Sequence, residues 1–403
     1  MASTAPQVRA YTGLALFSFG FRPFFLLGAV WAAVSVPLWI VTYSFGPGAL
    51  PFEAGLVWHV HEMLFGYGAA VVAGFLLTAI PNWTGRLPVC GTPLIVLVLV
   101  WVAGRVALLV QTDPAWIGAT VDAAFLFLFA GLVWREVIVG RNTKNIKVAA
   151  AVTTLALANA GFHYLHLSSG GLPRIAINGG LATLLFMIML IGGRITPSFT
   201  RNWLARRGAP PPVAYGRFDA AVLVFSLVAL AAWVFAGDHR FAAVGMVLAG
   251  GLNVLRLARW RGYACLAEPL VLILHVGYAW AAVALLLLGL GSIVPEIVPR
   301  VAGIHAAGAG AIGVMTLAVM TRSSLGHTGR ALVAGSGTVM IYFLINLAAL
   351  LRVGATFLPI SFQTSLNPVA ALIWFGALAG FCLVYGPRLL EHHAFNLTHS
   401  LRP

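Results

Sequence analysis

The chemistry available to this chain lies in its imidazoles. It has eleven histidines, and six or seven fall within or beside long apolar runs. Ionisable groups at membrane depth are costly and usually functional. His59 and His61 stand in Trp58-His59-Val60-His61-Glu62-Met63, His163 and His166 in His163-Tyr164-Leu165-His166, His275 in Leu274-His275-Val276-Gly277-Tyr278, and His305 in Gly303-Ile304-His305. Neutral imidazole suits haem iron and copper. Residues i and i+2 of an α-helix point about 200° apart, so His59 and His61 cannot face one metal on a regular helix. They can serve two centres, one on each side of it. No His-Glu-x-x-His zinc pair exists, because His61-Glu62-Met63-Leu64-Phe65 ends in phenylalanine. For each histidine the competing role is a membrane imidazole hydrogen-bonded to a neighbouring carbonyl; for His166, at a helix end, interfacial packing is the better reading.

Two acids stand near these imidazoles in the sequence. Glu62 adjoins His61, and Asp122 lies near one end of a span; either could orient a ligand imidazole or pass protons. The alternative is a carboxylate paired with an arginine such as Arg105, preferred for Asp122 but not for Glu62. Asp219 and Glu268 begin spans, where the helix dipole favours an acid. Arg174, Arg300 and Arg352 could meet haem propionates or anchor at the interface. Met63, Met187, Met189, Met315 and Met320 read as apolar filler. His239, His392, His393 and His399 read as inert loop or tail residues, and His327 as shaping the Gly326–Arg330 loop. Three scattered cysteines (Cys90, Cys265, Cys382) make neither a disulfide framework nor a Cys-x-x-Cys site.

These side chains must be held by membrane helices. Of 403 residues, 61% are hydrophobic and 8% charged, against about 45–50% and about 25% in an ordinary soluble domain. The chain lacks the residues for a polar skin, which excludes a soluble globule and a disordered chain. The net charge of +14 is dispersed between apolar runs, which excludes a nucleic-acid-binding face. Continuous runs such as PLIVLVLVWVAG exclude a membrane β-barrel, whose strands alternate. Windows of about 20 apolar residues predict twelve spans, near 23–43, 54–80, 93–110, 115–139, 147–168, 175–195, 218–236, 240–257, 266–290, 298–320, 331–351 and 365–385. The N-terminus carries no cleavage signal, so the first apolar run is expected to be retained. With antiparallel neighbours, 19 of the 24 basic residues fall on the side of the N-terminus. Basic loops stay cytoplasmic, so both termini are expected inside, in agreement with an even span count. Trp31, Trp39, Trp58, Trp83, Trp116 and Trp134 read as an aromatic belt.

A repeat is also legible. His61 and His305 each precede a small-residue apolar helix that ends in Thr-Gly-Arg, at 84–86 and 328–330, with histidine and arginine 25 residues apart in both. A weaker copy runs from Pro173-Arg174 to Thr200-Arg201-Asn202. Spans 2, 6 and 10 are then equivalent, which predicts three four-helix units (1–145, 146–262, 263–403) in a pseudo-threefold arrangement within one membrane domain.

Four segments resemble the NnrS family: Phe21-Arg22-Pro23-Phe24-Phe25, His59-Val60-His61-Glu62-Met63, the Gly74–Gly85 stretch GFLLTAIPNWTG, and Leu325-Gly326-His327-Thr328-Gly329-Arg330. The resemblance covers essentially the whole chain. It implies a polytopic protein of the bacterial cytoplasmic membrane with haem b and copper, tied to nitric oxide metabolism and nitrosative stress. It makes His59, His61, His163, His275 and His305 metal-ligand candidates. Twelve spans, threefold repeats and a His-x-His helix are also similar to the catalytic subunit of haem–copper oxidases and nitric oxide reductases, although no span here has adjacent histidines. The leading expectation is an oxidoreductase acting on nitric oxide, with quinol as donor and Glu62 moving protons. Its site would lie in the outer half of the bilayer between spans 2, 5, 9 and 10. His61 is expected to face His305 across a haem, with Arg300 at a propionate and His59 serving a second centre with His163 or His275. The competing expectations are a haem protein that binds or senses nitric oxide without turnover, and a proton-coupled transporter.

Overall fold

The structure is a computed structural model that describes residues 11–52 and 54–391. His392, His393 and His399, read above from the sequence, lie outside the described residues. Among the described residues the regular structure is entirely helical. Twelve helices are long and apolar enough to cross a membrane: α1 Phe21–Phe45, α2 Leu56–Thr84, α3 Thr92–Leu109, α4 Trp116–Val139, α5 Thr143–Ser169, α6 Arg174–Ala205, α7 Arg217–Ala236, α8 Arg240–Ala258, α9 Pro269–Ile293, α10 Arg300–His327, α11 Ser336–Ala355 and α12 Ile360–Leu390. The chain is a multi-pass membrane protein. Large apolar side chains such as Leu99, Leu128, Leu157, Val228, Leu248 and Phe343 face outward, exposed, as lipid-facing residues of a bundle must.

Most helix ends lie within a few residues of the apolar windows. The exceptions have local causes. Helices α6 and α10 run on past their windows as polar turns, to Ala205 and His327, because a helix does not stop where hydrophobicity does. Helix α9 starts late, at Pro269, since proline fits the first turn and cannot donate to a preceding one.

Helices α2, α6, α9 and α10 are the most enclosed. Helices α2, α6 and α10 meet around a central cavity of about 80 Å³, lined by Gly68, Phe75, Leu184, Ile191, Met315 and Val319 among others. The outer helices pack in sequence around this core, and α12 closes on α1. Each core helix contains a π-helical stretch: Glu62–Gly68 in α2, Ile188–Gly192 in α6 and Ala306–Ile312 in α10. In α2 and α10 it is seven residues long and starts immediately after His61 and His305. In α6 it is five residues long and lies deeper in the helix. A π turn disturbs the i→i−4 ladder, and side chains of neighbouring helices take up carbonyls there. Trp101 Nε1 donates to Gly66 O (3.1 Å) and Arg256 Nη1 to Met189 O (3.0 Å).

The family-like segments converge in space. Phe21 and Phe19 pack on the ring of His327, with centroids 5.6 and 5.7 Å away. Phe24 and Phe25 press on Gly74, where a Cβ would lie 2.8 Å from the Phe25 ring. Arg22 crosses to donate to the carbonyls of Leu389 and Glu391, both at 2.9 Å. The end of the bundle at which α1 starts is called the near end below, and the opposite end the far end.

Candidate metal centre

Helix α2 enters from the far end with Trp58, His59, His61 and Glu62 on its first two turns. The His61 ring is buried, and every polar neighbour of it comes from an acceptor-rich wall. Its Nδ1 is 3.0 Å from Glu62 Oε1, and its Nε2 is 3.1 Å from Asp122 Oδ2 and 2.9 Å from Asn159 Oδ1. Asp122 stands seven residues into α4, and His163 seven residues from the end of α5. They meet His61 at one depth because α2 and α4 run in one direction and α5 in the other. His163 Nε2 is 2.7 Å from the same Asp122 Oδ2. Asn159 lies one turn before His163 on α5, hence on the same face, and its amide donates to Asp122 Oδ2 (2.8 Å).

Arg105 of α3 holds both acids. Its Nη1 donates to Glu62 Oε2 (2.6 Å), and its Nη2 forms an ion pair with Asp122 Oδ1. Trp31 Nε1 of α1 donates to the same Glu62 oxygen (2.6 Å). Two glycines make the approach possible. A Cβ at Gly104 would lie 2.9 Å from the Asp122 Cα, so α3 and α4 touch only with glycine there. A Cβ at Gly66, one turn below Glu62, would lie 2.5 Å from Glu62 Oε2.

The electrostatics of this cluster call for a cation. One guanidinium faces two carboxylates, and a buried unbalanced charge is strongly unfavourable. The hydrogen bonding is also unbalanced. A neutral imidazole has one N–H and one lone pair, yet both His61 nitrogens face acceptor oxygens. Rotating the Asn159 amide would turn its oxygen against Asp122, so the conflict stays. It is resolved by a protonated carboxyl, by an imidazolium or by a metal ion between His61, Asp122 and His163. The three ligand atoms lie within 4.8 Å of one another. With metal–ligand bonds of about 2.1 Å, atoms around one ion are spaced by roughly 3–4 Å, so a small closing of the group would let it hold an ion. Glu62 on the remote nitrogen of His61 is the usual second partner of a metal-bound imidazole.

His59 faces the other way, as its spacing requires. Its ring stacks on Trp39 of α1, with centroids 5.4 Å apart and planes at 17°. His305 stands near the start of α10, the helix that packs on α11 and touches α2 through the two π stretches. His305 Nδ1 donates to Val301 O (3.0 Å), a bond that leaves Nε2 as the lone-pair nitrogen. Trp58 Nε1, His59 Nδ1 and Arg352 Nη1 are buried and make no hydrogen bond. His59, with an unpaired ring nitrogen, and His305, with Nε2 free of a partner, are imidazoles of the kind that haem iron takes.

Several expectations are corrected. His61 does not face His305, since its ring is turned toward Asp122 of α4 and Asn159 and His163 of α5, while His59 lies on Trp39 of α1. His275 joins neither group. It is buried toward the near end, where its Nε2 meets the Thr200 hydroxyl at 2.8 Å and its ring sits beside Trp260. A histidine seven residues into α9 starts from the opposite end to one six residues into α2. Arg300 is half exposed and ion-paired to Asp238, so its charge is satisfied away from both histidine groups. Trp31 and Trp58 are not belt residues; Trp31 bonds to Glu62 and Trp58 is buried. His166, exposed and bonded to the Gly171 carbonyl (3.1 Å), is the interfacial residue expected of it. Asp122 proves to be both an arginine partner and a neighbour of two imidazoles.

Asn159, Arg105 and Trp31 were not singled out as site residues. The Asn159–His163 spacing was an available signal, one helical turn of polar residues inside an apolar run. Trp31 gave none, since tryptophan is common in any span. Among known proteins, a family model described as NnrS protein matches residues 15–392. No curated protein matches the chain.

Proposed function

The chain belongs to the NnrS family, and on that premise we propose that it is a haem- and copper-binding oxidoreductase of the bacterial cytoplasmic membrane that acts on nitric oxide. In this proposal His61, Asp122 and His163 hold copper, and His59 and His305 hold haem b. The single observation that carries it is the buried group of His61, Asp122 and His163, whose ligand atoms lie close enough together to hold an ion while both His61 nitrogens face acceptor oxygens. When bound, the two groups supply reversible one-electron chemistry and an open coordination position for a diatomic ligand.

The chain's own residues have definite tasks. Glu62 takes the His61 Nδ1 proton as a hydrogen bond and so turns Nε2 toward Asp122. Arg105 pairs with both Glu62 and Asp122 and holds them in place. Asn159 fixes the Asp122 oxygen that both imidazoles share. With His61, Asp122 and His163 as ligands, Glu62, on the remote nitrogen of His61, is the group placed to take up or release a proton beside the site. Nitric oxide is small and apolar, so it can enter through lipid. Quinol is the proposed donor. In this proposal the near end, with the basic loops, and both termini lie in the cytoplasm, and His59, His61, His163 and His305 lie toward the outer face. We retain three four-helix units (1–145, 146–262, 263–403) as part of this proposal.

A second reading shares the same observation. If His61 is an imidazolium, the cluster is a proton site and the protein a proton-coupled transporter or a non-catalytic binder. Purification with elemental analysis and a reduced-minus-oxidised spectrum separates them. Stoichiometric copper and haem, with nitric oxide consumption on adding reduced quinol, is the expected result. Protein free of both groups overturns the proposal in favour of transport. Haem-loaded protein that consumes no nitric oxide favours a binder.

A further inference from the structure

The centre of the bundle holds a space that no histidine borders, the cavity of about 80 Å³ between α2, α6 and α10. Native interiors have few voids larger than a water molecule, and this one is built to a pattern. Helix α2 lines it with Gly68, Val71, Val72 and Phe75, positions 0, 3, 4 and 7 of one helical face. The same spacing recurs in α6 from Ile188 to Ile195 and in α10 from Ile312 to Val319. The α10 positions follow those of α2 by 244 residues (68 to 312), which is also the step from His61 to His305 and from Thr84 to Thr328. Each π stretch borders the cavity, since Gly68 and Ile312 end two of them and Ile188 to Gly192 is the third. A chance packing defect does not fall in register on three helices.

The lining decides what fits. Thr316 has the only polar side chain in it, and its hydroxyl is engaged, donating to Ile312 O (2.7 Å) and lying 2.6 Å from the Tyr67 hydroxyl. A buried water needs several polar partners, whereas apolar cavities stay dry and take apolar guests such as xenon. The volume matches about two or three water-sized molecules at about 30 Å³ each, well below the roughly 300–1,000 Å³ of a site for a larger organic ligand. Val72 and Thr316 each stand 16 residues beyond the start of their helix (56 to 72 and 300 to 316), about 24 Å along it. The cavity is therefore deep in the hydrocarbon, which apolar molecules enter readily and ions do not. We infer that this cavity is a binding site for a small uncharged gas molecule and that it holds nitric oxide within the bundle, eleven residues along α2 from His61 (61 to 72). The nitric oxide role rests on the oxidoreductase reading above, and the gas site rests on the cavity alone.

Xenon is the probe. Crystals of the wild type, Val72→Ala and Val72→Phe are pressurised with xenon, and nitric oxide consumption is measured on the same proteins with their copper and haem contents. Ile188→Phe fills the same space from α6 and serves as a second filling variant. The wild type is expected to hold xenon between Val72, Ile188 and Thr316, Val72→Ala to hold as much or more, and the two filling variants to lose it. A damaged bundle would weaken xenon in all the variants, so opposite responses of Val72→Ala and Val72→Phe report the cavity itself. The filling variants are also expected to raise KM for nitric oxide with kcat unchanged, the mark of lost binding with the chemistry intact. Ordered water or an acyl chain in the wild-type cavity, with no xenon, would overturn the gas site. Xenon lost from the filling variants with KM unchanged would overturn the holding role. Xenon bound as expected in wild-type protein that consumes no nitric oxide would remove the oxidoreductase reading and keep the gas site.

Discussion

His61 concentrates the chemistry of this protein because it is over-supplied with acceptors. Glu62 lies on one nitrogen, and Asp122 and Asn159 lie on the other, within 2.9–3.1 Å. Removing one partner from such a network leaves the others buried and unpaired. Arg105→Leu is therefore expected to destabilise the protein by about 3–5 kcal/mol, read as a lowered thermal midpoint in detergent, because it strands Glu62 and Asp122 together. Asp122→Asn keeps the shape and removes the shared anion. It should leave the fold intact and lower copper occupancy by about tenfold or more, measured by elemental analysis after dialysis. Unchanged copper in a folded Asp122→Asn variant would show that the imidazoles hold the ion without the acid. At this scale the sequence told much. Imidazoles and a carboxylate inside apolar runs stand out by cost alone, and the i,i+2 spacing of His59 and His61 correctly sent them to opposite sides. The partner of each was not legible, because equal depth does not specify direction around the bundle. Thus His61 was paired with His305, which shares its depth and not its side, and His275 was drawn to a layer that its helix enters from the wrong end.

Among the elements, the π stretches of α2 and α10 matter most, since both start on the residue after a histidine. A π turn widens the helix and frees carbonyls, and in α2 Trp101 takes up the one from Gly66. Gly66 is also the floor under Glu62 and Arg105. Gly66→Ala would put a methyl 2.5 Å from Glu62 Oε2, so it should displace Glu62 and lower metal occupancy with a cost to stability of about 1–3 kcal/mol. A Gly66→Ala protein with full metal and an unchanged thermal midpoint would mean that Glu62 is free to move. No sequence pattern announced these π stretches. Their helices are glycine- and alanine-rich, and hydropathy reports composition without reporting turn size. The ends of α6 and α10 were missed for a related reason, as each continues in polar turns beyond its apolar window.

As a whole, the molecule wraps nine helices around three core helices, α2, α6 and α10, and its two histidine groups lie on opposite sides of α2 at the far end. The span count was readable from length and apolarity alone, because a chain with so few charges has no other way to satisfy its backbone in lipid. The order of packing around the core was not, since short connections fix antiparallel direction but not neighbours. Orientation is a prediction at this scale. A reporter active only in the cytoplasm should work when fused after Gly208, between α6 and α7, and fail after Gly237, between α7 and α8. The reverse result would turn the two histidine groups to the cytoplasmic face and exclude an outer site.

The central claim is that α2 divides two independent centres, one at His61 and one at His59. It is tested most directly by measuring copper and haem together on purified wild type, His61→Ala and His59→Ala. The account predicts that His61→Ala loses copper and keeps haem, while His59→Ala loses haem and keeps copper. Folded variants in which both groups vanish together, or in which neither substitution changes either group, would contradict it.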